Sequence, residues 1–287
     1  MAELLKIEEI APQFKRYLVH APQVARKHRA GQFVIVLLND HGERIPLTIA
    51  DADPQAGTIT LVVQEVGKTT MEMGTMKVGD SIEVVGPLGK ATHIENWGTC
   101  VCIGGGAGIA PMLPIARALK AAGNHVVSIL GGRSKELIIM RPEMEAASHE
   151  VIYTTDDGSF GTKGLVTHAL NELIAGRGKP GVVFAIGPAI MMKAVAELTR
   201  PLAIPTIVSL NTIMIDGTGM CGGCRVAVGD ESKFVCVDGP EFDAHLVDFD
   251  LMMKRQRTYL KQEAAARERF QRELHECRAI PAKAEVE

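Results

Sequence analysis

The sequence predicts an α/β-plus-β architecture with an N-terminal antiparallel β domain, a parallel-sheet α/β domain and a small cysteine-bearing module that runs into a helical tail. Three observations predict it. Short β-rich runs separated by turn residues fill the first 98 residues, strands and helices then alternate, and a glycine- and cysteine-rich segment breaks that alternation near residue 205. The expected divisions are 1–98, 99–205, 206–250 and 251–287.

In the first division the runs are "RYLVHAP", "QFVIVLLND", "IPLTIADAD", "TITLVVQEV" and "SIEVVGPLG", spaced as in an antiparallel barrel or sandwich. From Gly98 onward, "CVCIGGG", "HVVSILGGR", "VIYTTDD" and "GVVFAIGP" read as buried strands. "APMLPIARALKAAG", "LVTHALNELIAGRG" and "AIMMKAVAELTRPL" between and after them read as helices, which implies a parallel sheet covered on both faces. The charged, helix-favouring run from Leu251 predicts one long helix.

Composition narrows the function classes. The chain has 287 residues, 46% of them hydrophobic, and a net charge of −3. With a pI near 6.3, it offers no electrostatic footprint for nucleic acid or an anionic membrane. The apolar stretch from Val101 to Leu119 contains three consecutive glycines, two prolines and Arg117, which argues against a membrane span. No signal peptide is apparent at the start, and the six cysteines do not form a disulfide framework, so a reducing, cytoplasmic setting is expected. Cys100 and Cys102 read as small buried strand residues, and Cys277 in the tail receives no role.

Three stretches carry chemistry. In "CVCIGGGAGIAP", Gly106, Gly108 and Pro111 form G-x-G-x-x-P where a strand should meet a helix, a turn that admits a pyrophosphate to the helix N-terminus. Arg133 and Ser134, with Lys135, end the next strand, where a dinucleotide places its adenosine ribose. They would suit a 2′-phosphate, whereas Ser134 as a helix cap flanked by solvated charges is the plain alternative, so NAD(H) and NADP(H) both stay open. In "RIPLTIAD", Arg44 and Thr48 share one strand face with Pro46, while Leu47 alternates to the other. Gly67, Lys68, Thr69 and Thr70 open a short helical segment with a phosphate-binding start.

The third stretch is "DGTGMCGGCRVAV", with Cys236 beyond it. Plant-type [2Fe–2S] sites follow C-x4-C-x2-C and a later cysteine. Here the pattern is D-x4-C-x2-C-x11-C, which makes Asp216 the first ligand ahead of Cys221, Cys224 and Cys236. A carboxylate keeps the anionic charge of the thiolate it replaces. Zinc is the competing occupant of a three-cysteine, one-oxygen site, and Asp238 is the alternative fourth ligand.

Taken together, these stretches resemble the ferredoxin–NADP reductase superfamily across nearly the whole chain and in the right order. The family's R-x-(Y/P)-(S/L)-(S/T) strand matches Arg44–Thr48, its G-x-x-(S/T) helix start matches Gly67–Thr70, and "GPLG" and "GAGIAP" follow where they should. The resemblance implies a flavin-binding barrel with FAD held by Arg44 and the Gly67–Thr70 segment, and Thr48 as the catalytic contact near N5 of the ring. Gln32 falls in the family's G-Q-F stretch without a catalytic role. At "AIGP", Ile186 stands where many relatives carry a thiol, so no cysteine is assigned to hydride transfer. The cluster segment resembles one branch most: the small subunits of NADH-dependent reduced ferredoxin:NADP oxidoreductases. That branch implies a larger FAD- and iron–sulfur-containing partner related to the glutamate synthase small subunit, with ferredoxin reached through the complex. The electron-transfer subunit of dihydroorotate dehydrogenase and a zinc-stabilised nucleotide-binding regulator remain alternatives.

Overall fold

A computed structural model describes residues 1–40 and 42–279, with side chains as far as Leu274; Cys277 lies beyond those described side chains. Six antiparallel strands close an N-terminal barrel in the order β1-β2-β5-β4-β3-β6. They are β1 (Ala2–Ala11), β2 (Phe14–His20), β3 (Phe33–Leu37), β4 (Ile45–Asp53), β5 (Thr58–Gln64) and β6 (Ser81–Leu88). Two short helices, α1 (Pro22–Lys27) and α2 (Lys68–Met73), fill gaps between them. Leu4, Tyr17, Val34, Val36, Ile49 and Leu61 pack the interior. β1 is a strand that the β-rich runs did not include. Its sequence "AELLKIEEIA" is made of good helix formers, and pairing with β2 along most of its length overrides that propensity.

The second sheet has the order β10-β9-β8-β7-β11-β12-β15. β7 (Thr99–Gly105) leads through α3 (Ile109–Ala121) to β8 (His125–Gly132), and α4 (Arg141–Ala147) leads to β9 (Glu150–Thr155) and the short β10 (Thr162–Lys163). α5 (Val166–Arg177) crosses back to β11 (Val182–Ile186), and α6 (Ala189–Thr199) leads to β12 (Thr206–Ser209). β12 runs parallel to β11, so the parallel sheet continues past residue 205. Val208 is buried on the face that α5 and α6 cover and Ile207 packs on the face that α3 and α4 cover, so the strand is enclosed on both sides as a parallel sheet requires.

The cysteine module holds the hairpin β13 (Arg225–Val228) and β14 (Glu231–Phe234), the short helix α7 (Val235–Asp238) and β15 (Glu241–Asp243). β15 returns to pair antiparallel with β12 at the sheet edge. The tail corrects the sequence expectation of one long helix. It forms α8 (Phe249–Gln256) and α9 (Leu260–Ala279), separated by a turn at Arg257–Tyr259. There the Thr258 N–H and hydroxyl both bond the Arg255 carbonyl, at 3.1 and 2.7 Å, a local alternative to continuing the helix. α9 then lies against α2, with Phe270 and Leu274 half-buried.

Ion pairs Arg16–Glu143 (2.5 Å) and Arg117–Asp51 (2.9 Å) join the barrel to the α/β domain. One hydrophobic core runs from Phe33 and Ile35 of the barrel through Val183 and Val208 of the sheet to Cys224 and Cys236. The modules are therefore packed as a single body around their shared junction.

Candidate functional site

The parallel strand order reverses between β7 and β11, each flanked by strands that follow it in sequence on opposite sides. Such a switch point opens a crevice at the carboxyl ends of the strands. Gly106 and Gly108 sit there. Gly106 takes φ +54°, the left-handed region. Gly108 has an ordinary φ of −65°, and its requirement is closeness. A Cβ on it would collide with the Ile186 carbonyl and lie 2.8 Å from Gly187 Cα. Pro111 occupies the first turn of α3, where its missing N–H costs no helix bond.

Arg133 follows β8 and is exposed; the Asp157 N–H bonds its carbonyl at 3.2 Å. Ser134 makes no capping bond through its side chain, so the plain cap reading does not describe its hydroxyl. Sequence reasoning missed the aromatic floor nearby: Lys135 and Arg141 lie over the Phe160 ring, 5.5 and 5.2 Å from its centroid. Cys100 and Cys102 are buried in β7, and burial pushes the Cys100 thiol up to about 11 and that of Cys102 further. Thiols so far from ionisation are packing residues.

On the barrel, β4 pairs with β3 so that Thr48 faces Phe33 and Pro46 faces Ile35. Val34 and Val36 point into the barrel interior, which places Phe33, Ile35, Pro46 and Thr48 on its outer surface, and Leu47 on the inner one. Arg44 is exposed just before β4. The side chains that open α2 are engaged within the fold. Lys68 pairs with Glu72 at 2.7 Å and Thr69 donates to Glu43 at 2.7 Å. The Thr70 hydroxyl accepts the N–H groups of Val66 and Gly67 at 3.1 and 3.0 Å. What the Gly67–Thr70 start presents outward is therefore backbone N–H, the group a phosphate takes at a helix terminus.

The cysteine loop sits against that same barrel surface. Gly217, at φ +73°, packs so closely that a Cβ would lie 2.6 Å from Leu88 Cδ1 and 2.8 Å from Ile35 Cγ1. Ile35 is the cross-strand neighbour of Pro46. The four sequence-predicted ligands meet in two pairs. The Asp216 carboxylate accepts the Cys221 N–H at 2.7 Å and the Thr218 N–H at 2.9 Å. Cys224 and Cys236 hold their sulfurs 3.3 Å apart, and the Cys236 N–H points to the Cys224 sulfur at 3.5 Å. The Gly223 N–H points to the Cys221 sulfur at 3.4 Å. The backbone bonds from Thr218 and Cys221 hold the Asp216 carboxyl below its ordinary range, so it is ionised at neutral pH.

Asp238, the alternative ligand, turns the other way: its Oδ2 accepts the Phe234 N–H at 2.8 Å. Among the described residues no three His, Cys, Asp or Glu side chains converge on one point as a single ion needs. The two pairs, with the Gly223 and Cys236 N–H groups aimed at sulfur, are compatible with an iron–sulfur cluster.

Comparison with known proteins gives the same three parts. Residues 1–93 match the family described as "Oxidoreductase FAD-binding domain", and residues 102–197 match "Oxidoreductase NAD-binding domain". Residues 211–248 match "Iron-sulfur cluster binding domain of dihydroorotate dehydrogenase B", which displaces the zinc alternative. The dihydroorotate dehydrogenase B (NAD(+)) electron transfer subunit homolog of Thermotoga maritima is 48% identical over 93% of this chain and 95% of its own. The electron transfer subunit of that enzyme in Streptococcus pneumoniae R6 is 33% identical over 82% of this chain and 93% of its own. A chain of the solved NADH-dependent reduced ferredoxin-NADP oxidoreductase, studied for flavin-based electron bifurcation, is 46% identical with a TM-score of 0.89. It covers 94% of this chain and 98% of its own. Among the described residues no helix is long and apolar enough to cross a membrane.

Proposed function

Because this chain belongs to the ferredoxin–NADP reductase-type family, with FAD-, NAD- and iron–sulfur-binding domains of an oxidoreductase, we propose that it is the electron-transfer subunit of a ferredoxin:NAD(P) oxidoreductase of the bifurcating kind. The observation that carries this reading is the seating of the cysteine loop on the barrel surface that bears Pro46 and Thr48, through Gly217 against Ile35. When bound, the flavin exchanges hydride with the nicotinamide and the [2Fe–2S] cluster carries single electrons onward.

The chain's own residues position these groups. Arg44 and the N–H groups that open α2 hold the FAD phosphates, and Thr48 with Pro46 lines the ring, while Leu47 between them turns its side chain into the barrel and offers only backbone. Gly106, Gly108 and Pro111 admit the dinucleotide pyrophosphate to α3, and Arg133 with Ser134 flanks the adenosine ribose. Asp216, Cys221, Cys224 and Cys236 would hold the [2Fe–2S] cluster. The proposed units are the barrel at 1–98, the nucleotide domain at 99–205, the cluster module at 206–250, which adds β12 and β15 to the nucleotide domain's sheet, and the tail at 251–287.

Around the cluster loop Ile215, Met220 and Val237 are 52%, 88% and 38% exposed, an apolar rim suited to a larger FAD- and iron–sulfur-containing partner subunit. That partner, related to the glutamate synthase small subunit, relays electrons to and from ferredoxin. The match of residues 211–248 to the dihydroorotate dehydrogenase domain favours a second reading with a different partner enzyme, against which the aspartate in the first ligand position counts.

Anaerobic NADH should bleach the flavin of the purified protein and generate the electron paramagnetic resonance signal of a reduced [2Fe–2S] cluster. A colourless, iron-free preparation would defeat the proposal. The same assay addresses cofactor choice: NADH is expected to be preferred, and a large NADPH preference that disappears in Arg133→Ala would reverse that assignment. Arg44→Ala should purify with FAD substoichiometric and readily lost on dilution, because removing a charge-assisted phosphate contact weakens binding by about 1.5–3 kcal/mol. Full flavin content in that variant would put the phosphates elsewhere.

A further inference from the structure

A carboxyl group lies where the barrel, the parallel sheet and the cysteine module meet. β15 sets Glu241 opposite Ser209 of β12, on the sheet face that Ile207 presents toward the barrel side. Its carboxyl accepts a hydrogen bond from the Thr92 hydroxyl at 2.6 Å, in the segment that joins the barrel to β7. The barrel backbone closes in beside it, since a Cβ on Gly31 would meet the Thr92 hydroxyl and lie 2.9 Å from Glu241 Oε1. Pro240, the residue before it, packs on Gly89, which in turn touches Phe33, the cross-strand partner of Thr48. α7, with Cys236, precedes it in the chain.

Among the described residues no basic side chain forms an ion pair with this group. Arg29, Lys90 and Asp243 flank it on the elements that pack around it, and Asp243 faces His245 at 4.0 Å. From β7 the Cys102 thiol feels its charge, though burial dominates that thiol's upward shift. Burial pushes the Glu241 carboxyl up to about 7, with the Thr92 hydrogen bond opposing the rise. A carboxyl half-titrated near neutrality responds most to any charge that appears nearby.

We propose that Glu241 is a redox-linked proton acceptor: it binds one proton from solvent when an electron reaches the cluster held by Asp216, Cys221, Cys224 and Cys236, and releases it when the electron leaves. The proposal rests on the iron–sulfur reading of those four residues. The electron derives from NADH, and the only bond made or broken is the carboxyl O–H. Linkage is reciprocal, so a proton that follows the electron must make the cluster potential depend on pH. A [2Fe–2S] couple carries no proton of its own, and a pH slope therefore reports a protein group.

The test is a redox titration of the cluster in the FAD-loaded holoprotein, followed by electron paramagnetic resonance across pH 5.5–8.5. The wild-type midpoint should fall with rising pH through the neutral range, and Glu241→Gln should flatten that slope while keeping flavin and iron. Asp243→Asn should leave it intact. Thr92→Val keeps the carboxyl but removes the bond that opposes its upward shift, so the sloping window should move to higher pH. A flat wild-type profile, or a slope that survives in Glu241→Gln, overturns the proposal. Absence of the cluster signal itself would instead defeat the iron–sulfur reading. Thermal melting gives an independent check. A carboxyl raised from 4.5 to about 7 on folding contributes stability that is present below pH 4.5 and lost as pH rises through 7. Wild type should therefore lose melting temperature over that window relative to Glu241→Gln, and parallel profiles would count against the proposal.

Discussion

Replacing Asp216 with alanine is expected to leave the flavin in place and strip most of the iron from anaerobically prepared protein. The carboxylate does two things that alanine cannot. It anchors its own loop through the N–H groups of Thr218 and Cys221, and it keeps lone pairs free for a metal, since an ionised carboxylate offers about four acceptor positions. Asp216→Asn separates these roles: the amide oxygen retains one loop bond but lacks the anionic donor, so the loop should hold while iron binds weakly. Asp216→Cys should keep the cluster and shift its midpoint, because ligand identity and hydrogen bonding set cluster potentials. Asp238→Ala should retain wild-type iron, as Asp238 caps α7 through the Phe234 N–H. Iron analysis and visible spectra of the four variants decide the matter. An iron-replete Asp216→Ala beside an iron-free Asp238→Ala would transfer the ligand role to Asp238.

The proposed ligand set rests on local information. Spacing along twenty-one residues, Asp216 to Cys236, proposes the donors, and the chain brings Asp216 to the Cys221 N–H and the Cys224 sulfur to that of Cys236. The glycine turn after β7 was legible for the same reason. What was hidden depends on distant contacts. Glu241 reads as one more polar residue in "DGPEF", and only its bond to Thr92, 149 positions away, marks it as a part-buried carboxyl at the junction of the modules. β1 was hidden by its own propensity, and the tail helix broke where Thr258 bonds back on Arg255. Side-chain roles at α2 were legible only in part. The motif marks Lys68, Thr69 and Thr70, yet their side chains brace Glu72, Glu43 and the start of α2, leaving the backbone to face outward.

Gly108→Val should lower NADH-driven reduction by about 100-fold while reduction by a chemical donor stays unchanged. The expected size follows from geometry, since misplacing reacting groups by about 1 Å costs on the order of 10²-fold. Valine's Cβ would drive into the Ile186 carbonyl and crowd Gly187, so the start of α3 and the turn after β11 must separate. Those two turns form the walls of the crevice, and a shift in either moves the dinucleotide away from the Thr48 side of the barrel. Gly106→Ala supplies the contrast. Its left-handed φ of +54° imposes a backbone penalty of about 1–2 kcal/mol, but nothing lies within 4 Å of the added methyl, so NADH reduction should survive with a modest loss. Flavin and iron content should match wild type in both variants, because neither residue belongs to the segments proposed to hold the flavin or the cluster. Stopped-flow reduction with NADH, beside titration with a chemical reductant, separates a damaged crevice from a damaged fold. Wild-type NADH kinetics in Gly108→Val would mean that the nucleotide enters somewhere other than this switch point.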